Sequence, residues 1–553
     1  MEMSQLNKEN QVPAYPDTDV AASDVVLQQI VHQLVDDRHA ARQQQAALAT
    51  QAEQLHSDDV QHWAQLANTG TPQLQRLDAW GNSVNAVYFQ QAWHELMALG
   101  FQYGLHNGGW APGPHAHLFR ATHFYVHGQV ESGTLCPLTM THAAIPLLRE
   151  QAASPLASFI RAVDSRQYDP ADKHWSEKAS VMVGMGLTEK QGGSDLRTNE
   201  SRANLTDSVS VDGSTQHYRV RGHKWFFSSP MSDAHLVLAR YMGELCCFFV
   251  PRWLAPGEQN GIHIVRLKDK LGNRSNASAE VEFNDAVGIM LGEVGRGIAT
   301  LVRMASLTRL DCVLGSAALL RGALRHATHY AIHRKAFGQT LIHQPLMRLV
   351  LADLALESEA ATTLAMVLAA AMDKQDSVSQ AYLRILTPAA KFWVCKRTIA
   401  MVAECAEVLG GNGYIETFPL ARAYREAPVN AIWEGSGNVM GLDVIRALSR
   451  TPELADALWE DLTQGLAEHP ALIARVRQCQ QVLKDTAEGQ QYQARWVSSQ
   501  LAWLAQAVCL RRYSPDWVFE TFINKAQGFD GGLLGVSPIS ETVQARFIQR
   551  AWV

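Results

Sequence analysis

A carboxylate set between apolar residues and a run of small ones can take a proton from carbon, and the string VNAIWEGSGNVM, residues 429–440, holds Glu434 in that setting. Ile432 and Trp433 before it would strip water from the carboxylate and strengthen it as a base. Gly435 and Gly437 after it free backbone N–H groups to receive a phosphate where a helix begins. The same charge would also suit a helix N-terminus with no catalytic role. A second string, MGLTEKQGGSD from Met185 to Asp195, sets the hydroxyls of Thr188 and Ser194 around Gly192 and Gly193. Such a loop lets backbone amides come close to a planar ring or a phosphate. A third, GHKWFFSS, places Trp225, Phe226 and Phe227 directly before Ser228 and Ser229, an aromatic wall with a polar edge. Read singly, these two strings are more at home in an ordinary hairpin turn or core strand.

The elements that must position these residues follow from periodicity. Residues 1–178 read as a helical N-terminal domain, with Leu and Ala at three- and four-residue spacing from Asp24 to about Gln102, a loop at NGGWAPGP and helical pattern again to about Val163. Residues 179–285 alternate in short runs such as AHLVLARY and ELCCFFVPRW, the pattern of a small antiparallel β domain. Residues 286–449 return to long apolar-striped helices that suit an antiparallel bundle carrying the Glu434 loop. Residues 450–553 read as an appended C-terminal helical domain. The fold class is α+β, an order that names no activity by itself.

Composition narrows the rest. The 553 residues are 47% hydrophobic and 18% charged, with a formal net charge of -6, so there is no global field for a polyanion. The N-terminus lacks the pattern of a secretory signal, and no run of about 18 apolar residues occurs, so a cytoplasmic protein without a membrane partner is expected. Eight cysteines, of which only Cys246 and Cys247 are close, fit reduced and mostly buried thiols. His115 with His117, and His123 with His127 at helical spacing, can in principle chelate a metal, but no Cys, Asp or Glu falls at a matching position. Hydrogen-bonded histidines and no metal are expected.

Two further strings change the weights: HRKAFG, with Arg334 and Phe337 and then Gln344, and EVLGGNGY, with Gly410 and Gly411. The four motifs TEKQGGSD, HRKAFG, GGNGY and IWEGSGN, in this order over about residues 180–450, resemble those of the acyl-CoA dehydrogenase family. The resemblance implies that family's fold and a bound FAD. It would place Met185, Gly186, Leu187, Thr188, Glu189, Lys190, Gln191, Gly192, Gly193 and Ser194 along the cofactor, and Phe226, Phe227 and Ser228 over the isoalloxazine. Arg334 and Phe337 would grip a neighbouring subunit's FAD with Gln344, where Gly410 and Gly411 allow close approach. Ile432, Trp433, Gly435, Ser436, Gly437 and Asn438 would complete the cofactor site, and Thr188, Ser194 and Asn438 would also reach an acyl-CoA thioester. Glu434 matches the base that takes the α-proton while a hydride leaves the β-carbon for the flavin.

Within that family the chain is most similar to a branch linked to the DNA alkylation response, on CPLTMTHAAIPLL, Lys268–Ser278, REAPVNAIWEGSGN and the extra C-terminal helices. That likeness implies a homotetramer, weak dehydrogenation of short branched thioesters such as isovaleryl-CoA, and binding of double-stranded DNA with low sequence specificity, for which Arg511 and Arg512 are the candidates. Composition alone does not show DNA binding, since acids match the basic residues of this region, and no helix-turn-helix or zinc-finger pattern is present. The alternatives are a metabolic acyl-CoA dehydrogenase whose tail only stabilises an oligomer, and direct flavin chemistry on an alkylating agent. Departures from the family pattern fall at Trp433, where Tyr is usual, at Lys190 in place of Pro, and at Glu407 in place of Gln. Arg446, about three helical turns past Glu434, could enter the channel or pair with an acid. These changes bear on thioester turnover more than on the cofactor.

Overall fold

The computed structural model describes residues 10–15, 24–150, 156–209, 216–525 and 539–552. The N-terminal region contains α1 (Val25–Leu34), α2 (Arg38–Leu55), α3 (Asp58–Thr69), β1 (Gln73–Leu77), β2 (Ser83–Tyr88), α4 (Gln91–Gln102), α5 (Ala116–Gly128), α6 (Leu135–Arg149) and α7 (Ala157–Val163). Asp24, Asp37 and Ser57 each accept a backbone N–H at the start of the first three helices, satisfying donors that have no intrahelical partner. The β1–β2 hairpin corrects the expectation of unbroken helix to Gln102. Its turn is held by the Asp78 carboxylate, which accepts Trp80 N at 2.9 Å and Asn82 N at 2.8 Å, and the alternation in SVNAVY is the strand period that the helical reading passed over.

The middle region holds β3 (Val183–Gly186), β4 (Arg202–Val209), β5 (Gln216–Ser228), β6 (Ala234–Tyr241), β7 (Glu244–Pro251), β8 (Trp253–Ala255), β9 (Glu258–Gln259), β10 (Ile262–Leu267) and β11 (Ser278–Leu291). Pairing runs β11–β5–β4–β6–β7 and back to β11, a closed circuit, with β10 outside β11 and β3 outside β6. The sheet is not wholly antiparallel as expected: β3 runs parallel to β6 from Val183↔Ala234 to Gly186↔Val237, because the chain reaches β6 only after passing through β4 and β5. One face of the circuit encloses Phe227, Val237, Phe248 and Val281; the other packs on α6 and α7. Cys246 lies in the first core and Cys247 in the second, as strand alternation requires, and all eight cysteines are free.

The remaining elements are α8 (Gly297–His333), β12 (Lys335–Ala336), β13 (Gln339–Thr340), α9 (Pro345–Ala371), α10 (Ser377–Ala381), α11 (Thr387–Val408), α12 (Pro419–Glu426), α13 (Gly437–Arg450), α14 (Pro452–Gly465), α15 (Pro470–Val482), α16 (Ala487–Tyr513), α17 (Asp516–Lys525) and α18 (Glu541–Trp552). The C-terminal helices are not an appended unit. Their apolar faces, including Leu501, Leu504 and Phe547, share one core with α8, α9 and α11. Buried ion pairs add to the join: Lys525 meets Asp353 and Glu357, and Arg550 reaches Glu359 at 2.8 Å. By length and composition α9 is apolar enough to cross a membrane, yet its most apolar stretch is wholly buried in the protein.

Candidate active site

Glu434 sits in the left-handed backbone region, φ 57°, which costs a residue with a Cβ roughly 1–2 kcal/mol. Three helices hold it there. From α8 the Thr308 hydroxyl donates to the Glu434 carboxylate, and Arg309 Nε donates to the Glu434 carbonyl at 3.0 Å while its Nη1 meets Asp443 of α13 at 2.7 Å. From α11 the buried Lys391 Nζ spans the loop, donating to Asn430 O at 3.0 Å and Gly435 O at 2.7 Å. Trp433 Nε1 donates to Asn430 Oδ1 at 2.9 Å, fixing the indole back onto the loop. One expectation is corrected: Ile432 is 65% exposed and does not shield Glu434, which is half-buried. Arg446 stands exposed, and it is Arg309 and Arg384 that pair with Asp443.

The β-domain string divides by strand alternation. Phe226 is 56% exposed, whereas Phe227 is fully buried in the circuit and cannot reach a cofactor. Glu189, also named for the cofactor, is buried instead. It accepts Lys224 Nζ at 2.7 Å with both side chains at 0% exposure, and its carboxylate also receives Glu200 N and Gln191 Nε2 at 2.7 Å each. This buried pair folds the TEKQGGSD loop rather than touching a ligand. Thr188 O accepts Trp225 N at 2.9 Å, which sets the loop beside Phe226. Gly186 packs so tightly that a Cβ would meet the Phe227 ring at 2.6 Å. Met185 and Leu187 are half-buried against the core under α6, while Lys190, Gln191, Gly193 and Ser194 are exposed.

Three residues that the sequence reading did not select complete the pocket. The Cys136 thiol, at the start of α6, lies beside Ser228 and Asn276 and within electrostatic reach of Glu434; loss of solvent pushes it up to about 11, against the pull of Lys270. Lys270 Nζ donates to Asn276 O at 2.7 Å and Ser278 Oγ at 3.0 Å, and enclosure brings its ammonium down to about 8. Asn276 is 1% exposed, and among the described residues its amide has only the neighbouring Cys136 thiol to bond. The strings CPLTMT and KDKLGNRSNAS held these residues, but only long-range packing shows that Cys136 meets Ser228 and Asn276. An exposed aromatic ring beside a serine, a buried amide with spare hydrogen-bonding capacity and a carboxylate within electrostatic reach of them fit a flat heteroaromatic cofactor with hydrogen-bonding edges.

At the loop's far end Ser436 caps α13 without a side-chain bond, leaving first-turn N–H groups open to an anion. At Gly437 a Cβ would stand 2.5 Å from Lys396 Cε, so a larger residue would displace that side chain. Asn438 Oδ1 accepts Arg495 Nη1 of α16 at 2.8 Å. The HRKAFG and GGNGY strings do not converge on Glu434 in one chain. Thr308 and Arg334 lie 26 positions apart along α8, roughly 39 Å at 1.5 Å per residue. Phe337 is 96% exposed and Tyr414 90%, while no atom comes within 4 Å of a Cβ at Gly410 or Gly411. Arg334 donates to Asn10 O at 2.7 Å, and Gln344 holds the β12–β13 hairpin through Ala336 O at 2.9 Å.

The DNA candidates Arg511 and Arg512 are both engaged in ion pairs. Arg512 forks onto Asp461 of α14 at 2.8 and 3.2 Å, and Arg511 pairs with Glu468 and lies over Phe519. Both tie α16 to its neighbours instead of standing free. The histidines each have their own environment: His123 meets Gln51 Oε1 at 2.6 Å and His127 meets Thr134 Oγ1 at 3.0 Å, and burial brings both down to about 4.

Three family descriptions match the chain: Adaptive response protein AidB N-terminal domain over residues 10–170, Acyl-CoA dehydrogenase, middle domain over 184–286, and Acyl-CoA dehydrogenase, C-terminal domain over 295–449. The chain therefore belongs to the acyl-CoA dehydrogenase family, with an N-terminal domain of the AidB kind. AidB of Escherichia coli (strain K12) is 43% identical over 507 residues, 91% of each chain. Among solved structures, ACDH-11 of Caenorhabditis elegans in complex with C11-CoA superposes with a TM-score of 0.81 at 24% identity, covering 99% of this chain and 93% of that one. An acyl-CoA dehydrogenase complexed with FAD from Bacillus anthracis gives 0.67 at 17% identity, covering 94% and 88%.

Proposed function

We propose that this acyl-CoA dehydrogenase family member holds FAD against Phe226 and Ser228 and that Glu434 takes the α-proton of an acyl-CoA thioester. The observation that carries the reading is the fixed placement of Glu434 by Thr308, Arg309 and Lys391, within electrostatic reach of the Cys136 thiol that lies beside Ser228. The flavin supplies the hydride acceptor when bound. The chain's own residues do the rest: Glu434 removes the proton, Asn276 and Ser228 offer hydrogen bonds to polar edges, and Trp433 narrows the pocket toward short or branched acyl groups such as isovaleryl. Gly410, Gly411, Phe337 and Arg334 form a half-site that a second chain's cofactor would complete, which supports a homotetramer. The test is single-turnover flavin bleaching with isovaleryl-CoA deuterated at the α-carbon. A primary isotope effect supports proton removal in the slow step; equal rates and no dependence on residue 434 would remove Glu434 from the role.

A second reading adds an adaptive-response role in which the protein associates with double-stranded DNA and limits alkylation damage. It is favoured by the match of residues 10–170 to an adaptive-response protein's N-terminal domain. The exposed cations Arg477, Lys484 and Arg546 then join Arg511 and Arg512 as candidate contacts. Retention on duplex DNA that falls steeply between 50 and about 200 mM salt supports it; no retention at low salt leaves the metabolic reading.

A further inference from the structure

Enclosing a charge with no ion-pair partner costs several kcal/mol, and two guanidinium groups, on α8 and on α12, have only neutral groups at hydrogen-bond distance. Arg325 of α8 is 3% exposed. Its Nη1 donates to the neutral Gln129 Oε1 at 3.0 Å. Arg422 of α12 donates to the Val130 carbonyl at 2.8 Å. Among the described residues neither has a carboxylate at ion-pair distance, although Arg321, one helical turn before Arg325, is matched by Asp24 at 3.0 Å. Both unmatched groups line one cavity, enclosed by Tyr15, His56, Gln129 and His326 and with room for a single guest of about water's size.

The lining is rich in donors. The Gln129 amide nitrogen is buried and has no partner among the described residues. Burial and the neighbouring arginines keep His56 down to about 4 and His326 to about 3, so neither adds a competing charge. An adjoining cavity that shares Gln129, His326 and Arg422 ends at Glu131 and Glu426; their charges reach Arg422 through space, but their oxygens are bonded to other donors. Glu131 accepts Gly133 N, Thr134 N, Thr134 Oγ1 and Ser275 Oγ at 2.6 to 2.8 Å. Glu426 accepts Asn273 N at 2.8 Å, and burial beside Glu131 raises it to about 7, so near neutrality it carries only part of its charge.

We infer that this cavity is a binding site for one small monovalent anion, of the chloride class, held between Arg325 and Arg422 with the Gln129 amide as a further donor. A bound anion would join α12, which leads directly into the Glu434 loop, to α8 and the N-terminal helices. The site takes no part in proton removal, so it is independent of the function proposed above.

The experiment is a bromide soak of crystals of the full chain, with anomalous scattering to locate the ion, paired with melting curves in sodium chloride and sodium gluconate at equal ionic strength. The expected result is an anomalous peak between Arg325 and Arg422 and a saturable rise in the melting midpoint of about 2 °C in chloride. Arg422→Gln should lose both, and Arg422→Lys, which keeps the charge, should restore part of the midpoint shift. Absence of a peak at this position, or equal midpoints in the two salts for the wild-type protein, overturns the assignment. If Arg422→Gln fails to fold, Gln129→Leu serves, with a weaker peak and a smaller shift expected and an unchanged response contradicting the site.

Discussion

Lys391 offers a sharp test of how the catalytic loop is held. Its ammonium donates to the carbonyls of Asn430 and Gly435, on either side of Ile432, Trp433 and Glu434. Lys391→Met keeps the length and apolar stem of the side chain and removes both bonds. Hydrogen bonds to a charged donor contribute about 1.5–3 kcal/mol each, and water entering the gap would recover part of the loss, leaving about 3 kcal/mol. Glu434 also sits in a backbone conformation that costs about 1–2 kcal/mol and relaxes once the staple is gone. The strained loop would then become a minor conformer, and at 1.36 kcal/mol per decade flavin reduction should slow by about 100-fold. Stopped-flow bleaching under anaerobic conditions reads the rate, and the flavin absorbance of the resting protein reports whether cofactor is retained. A variant that keeps its colour and its melting midpoint but bleaches slowly matches the reasoning. Bleaching at the wild-type rate would refute it, because the loop would then be shown to hold itself.

Three other perturbations follow from the same contacts. Although burial opposes it, Arg397 and Lys525 hold the Glu357 carboxyl down to about 2, below its ordinary value of 4.5. The stability it contributes is therefore present above pH 4.5 and lost as the pH falls toward 2, so Glu357→Gln should flatten the fall in urea midpoint between pH 5 and pH 3. Reversing charge at Arg511 and Arg512 should lower the melting midpoint, through loss of the pairs to Glu468 and Asp461, while duplex DNA retention stays unchanged; weakened retention in a fully folded variant would place them on the DNA surface. Phe337→Ala removes a ring that is 96% exposed in one chain. It should lower FAD retention and shift the oligomer toward smaller species by analytical ultracentrifugation, whereas an unaltered assembly that keeps its flavin would place the cofactor's partner elsewhere.

What was legible in the sequence was local. The Glu434 loop, the TEKQGGSD turn and the exposed HRKAFG hairpin each occupy a few consecutive residues, so their chemistry can be read from neighbours. The supports of Glu434 cannot, because Thr308 and Lys391 lie 126 and 43 positions away. Cys136 meets Ser228 only after α6 packs on the β domain. Phe227 was open to a better reading, since adjacent strand residues face opposite sides and only one of Phe226 and Phe227 could line the pocket. The ion pairs of Arg511 and Arg512 were hidden too: Glu468 and Asp461 are 43 and 51 residues earlier, and nothing local shows that the charges are matched. The β1–β2 hairpin was hidden by helices on both sides, although its Asp-Ala-Trp-Gly-Asn turn was visible.

The central claim is that Glu434 removes a proton at a flavin held by this chain. The direct measurement is the visible spectrum of the purified wild-type and Glu434→Gln proteins during anaerobic addition of isovaleryl-CoA. Both proteins should be yellow, and only the wild type should bleach. A folded wild-type protein that stays colourless and cannot take up FAD, or a Glu434→Gln protein that bleaches as the wild type does, would contradict it.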